Sequence, residues 1–170
     1  MTSPPPRAGT RRARGVTVQG EVRLAVDVDA SPQAVWRWAV DWRRQRLWMP
    51  LTDVRHVDGP ELGVGTRVVA RTGVGPLGFD DRMTVTAVDQ PRTYEVLHTG
   101  SLVQGVGVFA VEPRPTAAGE RARFVWWERV EVPGGPLARV LWLVGEPLTR
   151  LAFGWALRRF ARAVEADSSA

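Results

Sequence analysis

At 170 residues the chain has room for one domain and hardly a second, and 44% apolar against 24% charged residues describes an ordinary globular core. There is no cysteine, and all 23 basic residues are arginine, which excludes a disulfide-built scaffold, thiol catalysis, cysteine zinc clusters and lysine Schiff-base chemistry. The formal charge is +5, but Arg7, Arg11, Arg12 and Arg14 fall in an acid-free first 15 residues, which leaves 19 arginines against 18 acids, or +1, in the rest.

Residues 1–15 read as a disordered basic arm, and no apolar run after it is long enough for a signal-peptide core, so a cytoplasmic location is expected. The pI of 11.2 reflects that arm and the missing lysine, and gives no reason to expect a specific nucleic-acid surface. A single domain is expected over residues 16–166, followed by a frayed tail at 167–170.

From Glu21 to Asp29, Val22, Leu24, Val26 and Val28 alternate with polar residues, the pattern of a half-buried strand. Ser31 is a good N-cap, Pro32 suits the first helical position, and Val35, Trp36 and Ala39 recur at helical spacing. A second short helix is expected between Asp41 and Pro50. Six β-type runs follow: Thr52 to Val57, Thr66 to Thr72, Arg82 to Val88, Thr93 to Thr99, Leu102 to Val111 and Ala122 to Val132. Short Gly- and Pro-containing separators, among them Gly73 to Gly78 and Pro113 to Gly119, predict an antiparallel meander.

Beyond Pro133 a long helical stretch reaches about Glu165, with a break or kink expected at Gly145 and Pro147. Leu137, Val140, Leu141 and Val144 form one apolar stripe, and Phe153, Ala156, Leu157, Phe160 and Val164 a second, opposite Arg158, Arg159 and Arg162. Trp142, Leu143, Leu148, Leu151 and Trp155 remain over. Either neighbouring loops cover them, or they form a ligand mouth or a membrane-facing patch.

The expected order is one strand, two short helices, six strands and a long C-terminal helix. Along it stand Val26-Asp27-Val28-Asp29-Ala30-Ser31-Pro32 running into Val35-Trp36, Asp41 with Trp48, Gly63-Val64-Gly65-Thr66-Arg67, Asp89-Gln90-Pro91-Arg92, Phe109-Ala110-Val111-Glu112-Pro113 and Phe124-Val125-Trp126. In this order and these motifs the chain resembles the START-like (SRPBCC) superfamily, in its polyketide cyclase/dehydrase-like branch. The resemblance spans residues 20–165 and implies an α+β helix-grip fold: a curved seven-stranded antiparallel sheet around the long helix, enclosing an apolar cavity for a lipid, polyketide or other hydrophobic molecule. The superfamily shares no invariant catalytic set that would transfer here.

Period two in the seventh strand puts Glu128 on the face of Phe124 and Trp126, toward the cavity, where it could anchor a polar ligand group or move a proton. The same reasoning gives one face of the fifth strand to Tyr94, Val96 and His98, and one face of the fourth to Phe79, Asp81, Met83 and Val85. A tyrosine, a histidine and a carboxylate that converge there could polarise a carbonyl and remove a neighbouring proton. Structural ion pairs and satisfied core polar groups are the alternative for each. Glu128, His98 and Tyr94 are therefore the catalytic candidates. Trp36, Trp48, Asp81, Met83, Val96, Gln104, Phe109, Trp126, Phe153, Leu157 and Phe160 are the expected ligand-binding residues.

His56 and His98 lie far apart with no cysteine, so no metal is expected. The glycines of 73–78 form no phosphate-binding motif, so no cofactor is implied. The expected partner is a hydrophobic small molecule, bound or carried in a cavity, with the chain a monomer or homodimer. The alternatives are a cyclase or dehydratase acting through Glu128 with Tyr94 or His98, and a peripheral membrane protein that handles lipid.

Overall fold

The computed structural model describes residues 17–117, 119–133 and 135–169. The basic arm expected at residues 1–15 lies outside these. Seven antiparallel strands, β1 (Thr17–Val28), β2 (Thr52–Asp58), β3 (Arg67–Thr72), β4 (Phe79–Asp89), β5 (Thr93–Thr99), β6 (Gln104–Thr116) and β7 (Gly119–Pro133), form one sheet. Its spatial order is β1-β7-β6-β5-β4-β3-β2. The first strand thus closes one edge beside the last, and β2 to β7 return as an unbroken meander.

The chain crosses between the two edges through α1 (Pro32–Val40) and α2 (Trp42–Trp48). The Ser31 hydroxyl accepts from the Ala34 amide to cap α1. The Asp41 carboxylate accepts from the Arg43 and Arg44 amides, so this one residue ends α1 and begins α2.

The hairpin β6–β7 is longer than the sequence suggests, because Pro113 and Pro115 lie inside β6 rather than in a separator. Pairing with β5 stops at Ala110. The Val111 amide still donates to the Arg92 carbonyl at 2.7 Å, but beyond it the strand partner of β6 is β7, and a proline without an amide proton is tolerated on the open side.

The third helix, α3 (Gly135–Ser168), is a single 34-residue element with Pro147 inside it, not two segments parted by a break. A proline removes one hydrogen bond, to the carbonyl four residues earlier, and the helix continues past it. The helix reaches Ser168, within the tail expected to fray from residue 167, and its end is tied down. The Trp38 indole donates to Asp167 at 2.9 Å and Arg44 donates to the same carboxylate at 3.2 Å. Glu165 accepts the Asp29 amide at 3.0 Å.

The core lies between α3, the two short helices and the inner face of β1, β7 and β6. Trp48, Phe124 and Phe160 are fully buried there. Phe124 and Phe160 stack at 4.3 Å, and Trp48 meets Phe160 edge-on at 5.0 Å. This aromatic knot sets the height of the C-terminal half of α3 above the sheet.

Candidate functional site

Between α3 and the middle of the sheet the structure keeps a cavity of about 420 Å³, within the roughly 300–1,000 Å³ of small-molecule sites. Its floor comes from alternate residues of the strands: Asp81 and Met83 on β4, Tyr94, Val96 and His98 on β5, Gly107 and Phe109 on β6, and Trp126, Glu128 and Val130 on β7. Period two brings these to one face, as the sequence suggests. Thr149, Ala152, Phe153 and Ala156 of α3 form the roof, and Trp42, Gln45 and Met49 close one side.

Three polar side chains meet at this wall. His98 Nδ1 lies 2.7 Å from Asp81 Oδ2 in a hydrogen bond. His98 Nε2 lies 3.0 Å from Glu128 Oε2, a contact held by charge rather than by an aligned hydrogen bond, since both atoms lack a partner of good geometry. The Trp126 indole donates to the other Glu128 oxygen at 2.7 Å and fixes that carboxylate. Burial disfavours the imidazolium, but the Asp81 hydrogen bond and the Glu128 carboxylate outweigh it and raise the His98 pKa to about 10. The ring is therefore an imidazolium at neutral pH.

A glycine makes the contact possible. Gly107 faces Glu128 across β6–β7, and a Cβ there would come within 2.8 Å of Glu128 Oε2 and 2.9 Å of His98 Nε2. Gly105, one pleat away, has φ +140°, and a side chain on it would strike the Arg129 carbonyl.

Of the expected catalytic residues, the structure brings His98 and Glu128 together with Asp81, but Tyr94 is elsewhere on the cavity wall. Its ring packs edge-on against Trp36 and Trp42 at 6.1 and 5.5 Å, and its hydroxyl has no hydrogen-bond partner. Burial raises the phenol above its usual range.

Of the expected ligand-binding residues, Asp81, Met83, Val96, Phe109, Trp126 and Phe153 line the cavity. Trp36, Trp48, Leu157 and Phe160 do not; they are spent on the core that supports it. Gln104 is exposed at the start of β6, opposite Thr99 and Glu131, and is not a cavity residue. On the α2 side the cavity is lined not by the expected Trp48 but by Trp42, Gln45 and Met49, whose i, i+3, i+7 spacing marks one helical face. Among the described residues Leu148 and Leu151 are exposed and Trp155 partly so, with the Arg159 guanidinium over the Trp155 ring at 4.6 Å. The side chains of Trp142 and Leu143 lie outside the described residues.

The profile of the family described as polyketide cyclase / dehydrase and lipid transport matches residues 19–165. The chain belongs to that family. Hydrophobic ligand binding is the family-level property that comes with it. Among solved structures, the chain is similar to TTHA0849 from Thermus thermophilus, with a TM-score of 0.73 and 18% identity over 88% of this chain and 99% of that one. It is similar to DR_A0006 from Deinococcus radiodurans, with a TM-score of 0.62 and 15% identity over 87% and 99%. It also resembles a norcoclaurine synthase point mutant from Thalictrum flavum, with a TM-score of 0.60 and 15% identity over 88% and 96%. At these identities the likeness establishes the START-like helix-grip fold. No curated protein matches the sequence. No helix among the described residues is long and apolar enough to cross a membrane.

Proposed function

We propose that this family member binds an apolar small molecule in the space beneath α3, and that Asp81, His98 and Glu128 recognise its polar end. The observation that carries the reading is the cavity itself, about 420 Å³ beneath Thr149, Ala152, Phe153 and Ala156 of α3. Aliphatic and aromatic side chains dominate its wall, which suits burial of an apolar ligand at about 25 cal/mol for each Å² removed from water. Native mass spectrometry of protein purified from its own host tests it. A retained apolar molecule supports the reading. Bare protein that also fails to bind the neutral dye Nile red overturns it.

One feature supports a second reading, acid–base conversion of the bound molecule. An imidazolium beside a carboxylate offers a proton donor and a proton acceptor on one wall: a ligand carbonyl oxygen inserted between them would take the hydrogen bond of His98 Nε2 in place of Glu128, freeing that carboxylate to remove the proton from an adjacent carbon. Cyclisation or dehydration of a polyketide-like chain needs such a pair. Glu128→Gln should then abolish turnover while binding persists, and unchanged turnover rejects the role.

The exposed Leu148, Leu151 and Trp155 favour a third reading, exchange of ligand at a lipid surface. Failure to sediment with anionic vesicles at low salt excludes it.

A further inference from the structure

The charge of the cavity is opposite to that of the chain. Asp81, His98 and Glu128 are the only cavity-lining groups, among the described residues, that carry charge near neutral pH. Their formal sum is −1 with the imidazolium and −2 without it, while the whole chain is +5. Among the described residues no arginine borders the cavity, and the chain has no lysine to do so. The three side chains are only 6 to 14% exposed, so neither salt nor water screens this charge well. A ligand carboxylate placed here would face two carboxylates at low dielectric without a cation to spare, because both nitrogens of His98 are already directed at Asp81 and Glu128. A ligand donor finds the opposite situation, for Asp81 Oδ1 is a buried acceptor without a partner.

The far side of the cavity has the complementary vacancy. Tyr94 shares a face of β5 with His98 and stands four residues away, about 13 Å along a strand. Its ring packs against Trp42, one helical turn from Gln45, and the Trp42 indole nitrogen, the Gln45 amide nitrogen and the Tyr94 hydroxyl are buried without partners. Each side chain is at most 8% exposed and each residue lines the cavity. Three unsatisfied donors suit an acceptor such as a carbonyl oxygen.

Resting on the binding function proposed above, we infer that the cavity selects an elongated apolar ligand whose head at Asp81 and Glu128 is an amine or another hydrogen-bond donor, with an acceptor oxygen at the Trp42–Gln45–Tyr94 end, and that it rejects fatty-acid-like anions.

Displacement of Nile red from the full chain at pH 7.5 tests this with decylamine, decanol and decanoate, three probes that share a ten-carbon tail. Decylamine should displace the dye at a concentration at least tenfold below that of decanoate, with decanol between them. Adsorption to a surface of net positive charge would give the reverse order. In Asp81→Asn/Glu128→Gln the ratio of decylamine to decanoate should fall toward one. A methyl ketone at the far end of the amine should tighten binding to the wild-type chain but not to Tyr94→Phe/Gln45→Leu. Equal displacement by decylamine and decanoate, or a preference for decanoate, overturns the head-group assignment while Nile red binding leaves the cavity function standing. No gain from the ketone overturns the far end alone. If neither the dye nor any decyl probe binds, the binding function falls and this inference falls with it.

Discussion

Asp27 and Asp81 are both strand aspartates held by cationic neighbours, one on the outside of the sheet and one on the cavity wall. Asp27 is half exposed on β1, where Arg123 grips it at 2.7 and 3.3 Å and Arg114 adds a second contact. The hydrogen bond from Arg123 holds its carboxyl below the usual range. Asp81 is 13% exposed, and its partner is an imidazole that must also serve Glu128. Exposed pairs of the first kind are screened and contribute little. A buried cluster with one cation for two anions is difficult to justify as stabilisation, because desolvation opposes it. The contrast fits the ligand-recognition role proposed for the inner group, whereas the outer pair is an ordinary surface contact.

The strongest way to break the inner group is Asp81→Ala, which strands a buried imidazolium between fewer charges. By analogy with other broken buried pairs it should cost about 3–5 kcal/mol, read as a lower urea midpoint. Gly107→Ala forces a methyl group against Glu128 and His98, and overpacking of this kind costs about 1–3 kcal/mol. Its midpoint should recover in Gly107→Ala/Glu128→Ala, where the clashing carboxylate is gone.

Titration sharpens the comparison further. The folded pKa of His98 is raised from 6.5 to about 10, so its contribution is full below pH 6.5 and is lost as pH climbs toward 10. Unfolding free energy should therefore decline between about pH 6.5 and 9.5, by at least the roughly 1.4 kcal/mol that one pKa unit represents. His98→Gln should flatten that decline, and a wild-type chain with constant stability over the window would contradict the clamp. On the outside, Arg123→Ala should leave the urea midpoint within error at about 150 mM salt, the smallest effect of the series.

Much of this was legible in the chain. Val22, Leu24, Val26 and Val28 announce β1 by alternation, and the same period correctly aims Glu128 with Trp126 and Asp81 with Met83. Facing is a local property, so one strand's sequence suffices for it. Partnership is not local. Asp81 reaches His98 through the β4–β5 register, which pairs Met83 with His98 and shifts at a bulge between Val85 and Ala87. No pattern within either strand encodes that offset. Gln104 misleads for a related reason: Gly105 and Gly107 remove the apolar beat from its strand and leave its facing undetermined. Trp48, Leu157 and Phe160 pack in the core and not along the cavity for a different reason, because cavity and core use the same residue types and only packing separates them.

Phe153 lies flat on Trp126, 3.9 Å between ring centres and 12° from parallel, and that same indole holds Glu128. The roof and the polar wall therefore share one side chain. Any displacement of α3 at Phe153 would disturb the indole that tethers Glu128, so under the proposed binding function the roof and the carboxylate move as one mechanical unit.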